Sequence, residues 1–90
     1  MNLSDRVRIA QQVMARQVGE EMVMLDLAGG TYFGLDPVGA RIWQLLDEGK
    51  TLAEICDVMM AEYAVSREEI ERDVLRLADE LTVNGLIGQA

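Results

Sequence analysis

The hydrophobic period of the chain changes once, at Asp36-Pro37, and this switch divides a strand-forming front from a helical back. Ahead of it, residues 13–18 (VMARQV), 22–27 (MVMLDL) and 31–35 (TYFGL) are short apolar runs with β-branched and aromatic residues. Gly19-Glu20 and Gly29-Gly30 punctuate them. Behind the switch the apolar residues recur at helical spacing. The expected fold class is α+β: a three-stranded antiparallel meander followed by three helices.

The hairpin between the second and third strands admits a register. With Val23, Leu25 and Leu27 facing inward, their partners on the next strand are Leu35, Phe33 and Thr31, because opposed residues in an antiparallel pair share a face. This leaves Ala28, Gly29 and Gly30 as a three-residue loop with a left-handed glycine at position 30. A two-residue Gly29-Gly30 turn places Phe33 opposite Asp26 instead.

Each helix carries a start signal. Asp36 before Pro37 reads as an N-cap followed by proline at the first helical position. Val38, Ile42, Trp43, Leu45 and Leu46 form the apolar face of that helix, and Gly49 ends it. Thr51-Leu-Ala-Glu54 and Ser66-Arg-Glu-Glu69 read as capping boxes. The second helix turns Leu52, Ile55, Met59 and Tyr63 inward, with Cys56 beside them. The third repeats Ile70, Val74, Leu77 and Leu81 on one stripe. Leu75, Ala78 and Thr82 flank it on one side, Asp73, Glu80 and Asn84 on the other, and Asn84-Gly85 stops it.

Ninety residues make a single domain, 1–90, with room for one core. Half are hydrophobic and one is proline, which describes a globular chain. The formal charge is −8, and because Arg6, Arg8 and Arg16 face only Asp5 in residues 1–19, the rest of the chain carries −10. Such a surface disfavours nucleic acid, whose affinity comes from lysine and arginine. Cys56 is the only cysteine and histidine is absent. Disulfides, thiolate zinc clusters, histidine bases and Cys/His nucleophile pairs are thereby excluded. No cofactor or metal site is expected. The acidic pair Glu68-Glu69 stands at a helix start, where it serves the dipole, so no catalytic function is expected either. The N-terminus lacks the apolar stretch of a signal peptide and no run approaches a membrane span, so the expected compartment is a reducing cytoplasm.

A meander beside a three-helix unit is winged helix-turn-helix-like, with the wing moved to the front. In a DNA binder the third helix would enter the groove. Here it has three arginines against six acids between residues 66 and 84, the wrong composition for that task. An acidic winged-helix interaction module or DNA-binding regulator is the alternative reading.

The residues YFGLDPVGARIWQLLDEGKTLAEICDVMMAEY and EEIERDVLRLADELTVNGLI resemble the small proteins related to the pyrroloquinoline-quinone biosynthesis protein D. The shared pattern is a strand ending Leu-Asn or Leu-Asp, a helix with Gly-Ala and an aliphatic pair, an acidic-Gly turn, a Glu-Ile helix, and an Asp-Val helix ending near Gly-Leu. It spans residues 22–87. The resemblance implies a recognition element for ribosomally made, post-translationally modified peptides. Such an element binds the leader segment of a precursor peptide as an added strand in a cleft, and presents it to a maturation enzyme, either a leader peptidase or a radical-type modifying enzyme. The aromatic stretch YFGLDPVGARIW is more similar to the free-standing members of lasso-peptide clusters than to the quinone-cofactor members.

By that resemblance Tyr32, Phe33, Gly34 and Leu35 map to the strand side of the cleft; with Thr31 beside them, and Asp73, Val74, Leu77 and Leu81 on the third helix, they are the expected peptide-binding residues. The physics agrees with the mode: the third strand of a meander has one unpaired edge, and an extended peptide can pair with it while alternate side chains enter pockets. A second copy of the chain can pair there too, giving a homodimer. Phe33, Leu35, Val74, Leu77 and Leu81 also have the spacing of core residues, Gly34 also suits a bulge, and Asp73 also suits a solvated charge or a cap to a backbone amide. Trp43 reads as a core aromatic, and the six methionines as gap fillers.

Overall fold

In the computed structural model, which describes residues 1–90, eight elements follow one another. They are β1 (Val7–Ile9), β2 (Val13–Val18), β3 (Glu21–Asp26), β4 (Thr31–Leu35), α1 (Pro37–Asp47), α2 (Leu52–Glu62), α3 (Arg67–Val83) and β5 (Ile87–Gln89). The helical half begins where the period changes. Asp36 holds an extended backbone and its Oδ1 accepts the Gly39 amide at 2.8 Å, while Pro37 fills the first helical position, where no N–H is needed. Thr51 and Glu54 form a reciprocal capping box at the start of α2. At α3 only half of the expected box is made: the Ser66 hydroxyl accepts the Glu69 amide, and the return bond is absent.

The sheet β2-β3-β4 is an antiparallel meander, as expected, but its register differs from the sequence-based one by a single residue. Met24 pairs with Phe33, Met22 with Leu35 and Asp26 with Thr31. The inward face of β3 therefore carries Met22 and Met24, both buried, and the expected inward residues Val23, Leu25 and Leu27 do not enter the core. A one-residue slip moves every side chain to the other face. The cause lies at the turn. Asp26 Oδ1 accepts the amides of Ala28 and Gly29 at 3.0 and 3.2 Å, and the Gly30 amide donates to the Asp26 carbonyl at 2.7 Å. These bonds draw Leu27 into a four-residue connection, 27–30, instead of the expected three. Gly30 is left-handed, with φ +70°, as expected of the loop's last glycine.

Two further strands were not anticipated. β1 and β5 join near the two ends of the chain in a small antiparallel pair, with Ile9 opposite Ile87 and Val7 opposite Gln89. The inward face of the meander packs against α1, and α2 and α3 complete a single core of 19 buried residues. Trp43 and Cys56 belong to it, and burial pushes the Cys56 thiol up, away from the reactive thiolate. Tyr63 does not join the inward stripe of α2. The helix ends at Glu62 and Tyr63 has an extended backbone, which turns its ring partly to solvent. Arg67 fastens α3 to α2 by donating to Asp57 and to the Ala53 carbonyl, and it also donates to Glu71 one turn along its own helix.

Candidate functional site

β4 has a neighbour on one side only, and the hydrogen-bond phase of the meander shows what its other side offers. The Leu27 amide donates to the Gln12 carbonyl at 2.9 Å, so the residues of β3 in phase with it, Leu25 and Val23, turn their backbone groups toward β2. Antiparallel strands alternate this direction residue by residue. Met22, Met24 and Asp26 therefore bond β4 through Leu35, Phe33 and Thr31, and the N–H and C=O groups of Tyr32 and Gly34 point outward from the sheet. None of the backbone hydrogen bonds formed outside the ladders and helices involves residues 31–35. The edge is unpaired.

Beside this edge lies a cleft of about 400 Å³ between β4, the first turns of α1 and the face of α3. Phe33 and Leu35 project into it from the inner face of β4, and Val38, Ile42 and Leu77 supply apolar surface from the two helices. Gly39 allows close packing at the α1 start: a side chain there would meet Leu35 at 3.2 Å and the Asp36 carboxylate at 3.3 Å. The rim is charged. Asp36, Asp73 and Glu80 border the cleft with Arg76 among them, and Arg76 pairs with Asp73 at 3.3 Å.

The structure thus brings Phe33, Gly34, Leu35, Asp73 and Leu77 together at one site. Val74 and Leu81 do not reach it, since both are fully enclosed in the core between helices. Tyr32 offers its backbone to the edge, but its ring lies on the opposite face of the sheet and is 77% exposed. Thr31 is exposed at the strand start, with its backbone directed to β3. Asp73 is half-exposed and engages Arg76, not a backbone amide. The contribution of Asp36, Val38, Gly39 and Ile42 escaped sequence reasoning, because helical periodicity assigns Val38 and Ile42 to a core stripe without showing where that stripe runs out beside β4. No group of three or more His, Cys, Asp or Glu side chains is disposed to hold a metal ion. No helix is long and apolar enough to cross a membrane.

The chain is thus an α+β domain with an unpaired strand edge above a cleft that has an apolar floor and a charged rim. Its sequence from residue 21 to residue 87 matches the family described as Coenzyme PQQ synthesis protein D (PqqD), and the chain belongs to that family. Two solved structures share the fold closely. "TbiB1 in Complex with the TbiA(beta) Leader Peptide" is 45% identical with a TM-score of 0.86, over 89% of this chain and 93% of that one. "Lasso peptide synthetase B1 complexed with the leader peptide" is 31% identical with a TM-score of 0.86, over 92% of this chain and 98% of that one. No curated protein matches the chain significantly in sequence.

Proposed function

We propose that this protein binds the leader segment of a lasso-type precursor peptide as an added strand on β4 and presents it to a maturation enzyme, without catalysing a step itself. The observation that carries the reading is the outward-pointing backbone of Tyr32 and Gly34 above a cleft with an apolar floor, in a chain 45% identical to a protein solved with a leader peptide. Pairing through the backbone supplies affinity with little sequence information, and side chains entering the cleft supply the choice of partner. The lasso-type reading is favoured over the quinone-cofactor type because both solved relatives carry leader peptides, one of them under the name lasso peptide synthetase B1. Residues Phe33, Leu35, Val38, Ile42 and Leu77 form the floor of the binding site in this reading, with Asp73 and Arg76 at its rim.

Titrating the isotope-labelled protein with the TbiA(beta) leader peptide, and with the leader of its own precursor once identified, tests partner and site together. The amides of Tyr32 and Gly34 gain protection from exchange, and the methyl groups of Val38, Ile42 and Leu77 shift. Saturable binding that leaves β4 unperturbed while shifting another face overturns the assignment.

A further inference from the structure

A strand added to β4 presents two rows of side chains, and the cleft accounts for one. Residues opposite Phe33 and Leu35 fall on the inner face and enter the cleft, whereas those opposite Tyr32 and Gly34 fall on the outer face. That outer face is unlike an ordinary solvent-facing sheet surface, which is polar. It carries Met14, Val18, Val23, Leu25 and Tyr32, interrupted only by Arg16 opposite Val23 and Glu21 opposite Val18, with Met14 54% and Val18 57% exposed. Beside the edge it dips into a concavity of about 380 Å³ lined by Val18, Glu21, Val23, Gly34 and Asp36 among others.

Gly34 sits in that concavity without a reason of its own. Its backbone is not left-handed, and a side chain built there would meet nothing within 4 Å. The ladder runs unbroken through Val23↔Gly34, so the glycine does not relieve a bulge. Glycine inside a strand costs about 0.5–1 kcal/mol relative to alanine and packs against nothing. The free chain therefore bears a cost that nothing in its own packing returns. A large side chain reaching across from a neighbouring strand is the recurrent partner of such an edge glycine, covering its bare backbone and the apolar residue beyond it.

We propose that this concavity is a second side-chain subsite for the same bound peptide, on the face of the sheet opposite the cleft. It takes an aromatic or long aliphatic side chain from the peptide residue paired with Gly34. This rests on strand addition at β4. The side chain crosses Gly34 and packs on Val23 and Val18, and the Glu21 and Asp36 carboxylates at the rim accept a hydrogen bond from a tyrosine hydroxyl or a tryptophan N–H. The preferred peptide is then bulky and apolar on both faces: one residue over Gly34, and its immediate neighbours in the cleft.

Selection of a displayed random-peptide library on the wild-type protein and on Gly34→Val tests this. Valine fills the outer space and suits a strand, and thermal unfolding of the free variant verifies that it folds. Peptides enriched on the wild type carry a bulky residue at one position flanked by apolar cleft anchors. Alanine at that outer position weakens binding about tenfold, as loss of a buried anchor does. On Gly34→Val the cleft anchors persist and the outer preference disappears; on Val23→Ser, a second variant that removes the apolar floor and keeps the glycine, it declines. Cleft anchors with no outer preference, or an outer preference unchanged in both variants, overturn the subsite and leave strand addition standing. If no peptide is enriched, or enriched peptides leave the Tyr32 and Gly34 amides unshifted, strand addition itself fails and the subsite with it.

Discussion

The meander has two unpaired edges, and they are equipped differently. At the β2 edge the backbone groups of Ala15 and Gln17 point outward, as those of Tyr32 and Gly34 do at the β4 edge. The surface beside β2 is polar and already occupied with itself. Gln44 donates to Gln17 at 2.8 Å, Arg41 holds Glu62 at 2.7 Å, and the shallow groove that Gln17, Arg41 and Gln44 border with Glu20 and Tyr63 measures about 160 Å³. Beside β4, Leu35, Val38, Ile42 and Leu77 leave an apolar floor open. Unpaired backbone is common to both edges and attracts any strand. What separates a docking edge from a bare one is the unfilled apolar surface beneath it, which lets the site choose among peptides.

That distinction is tested most severely on α3, where the cleft wall and the core lie one helical turn apart. Leu81 is fully buried and Leu77 borders the cleft. Leu81→Ala lowers unfolding free energy by about 2–5 kcal/mol, the cost of a cavity in a packed core, with peptide affinity unchanged once the folded fraction is corrected for. Leu77→Ala reverses the balance, lowering affinity by about 1–3 kcal/mol with a smaller loss of stability. Chemical denaturation and calorimetric titration of both variants measure the two quantities. If Leu81→Ala weakens binding of the folded protein, the boundary between core and cleft is misplaced.

Proline compares the edges directly. It removes one N–H and is tolerated at sheet edges where that group faces solvent. Gly34→Pro therefore deletes a donor to the incoming peptide and leaves its acceptor unpaired, weakening binding by about 1–3 kcal/mol. Ala15→Pro deletes the equivalent donor on the β2 edge and leaves affinity unchanged. Equal losses in the two variants would mean that the peptide does not distinguish the edges.

The parts of this arrangement visible in the sequence are those that a single residue type dictates locally. Asp36-Pro37, Thr51 with Glu54, and Gly30 each have a backbone task that few other residues perform, so the helix starts and the left-handed turn were legible. The register was not. MVMLD is apolar on both faces, so no alternation distinguishes Met22 and Met24 from Val23 and Leu25, and the bonds from Ala28 and Gly29 to Asp26 decide the matter. On the reading proposed above, that ambiguity has a functional origin: the outer face is apolar because a peptide side chain covers part of it. The β1-β5 pair is three residues long on each side, too short for any periodicity, and exists because chain segments 80 residues apart meet. On α3 the sequence places Val74, Leu77 and Leu81 on one stripe. Only the packing shows that its Leu77 margin borders β4 while Val74 and Leu81 are enclosed.

Charge at the rim has a smaller effect than either apolar floor or backbone. Asp73 and Arg76 form an exposed pair at 3.3 Å, and such pairs contribute between about 0 and 1 kcal/mol to stability. With Asp36 and Glu80 the rim is acidic on balance, which steers a basic leader toward the cleft. Asp73→Asn slows association with a basic leader, changes dissociation little, and costs less than about 1 kcal/mol in affinity. Stopped-flow rates at two salt concentrations check it. Salt-independent association in the wild type would remove the rim from the mechanism.

The smallest effect belongs to the β2 side. Arg41 donates to both Glu62 carboxylate oxygens, and this bonding holds the Glu62 carboxyl below its ordinary range. A carboxylate whose folded pKa is depressed stabilises the folded state above its unfolded pKa, and that contribution is lost as pH falls through the folded value. Glu62→Gln removes the titrating group, so the difference in melting temperature between wild type and variant shrinks as the solution is acidified below the ordinary carboxylate range. Peptide affinity at neutral pH is unchanged, because Arg41 lines the groove beside β2 and not the cleft beside β4. A loss of affinity in Glu62→Gln at neutral pH, with stability intact, would show that the β2 side contributes to peptide capture and would end the distinction between the two edges.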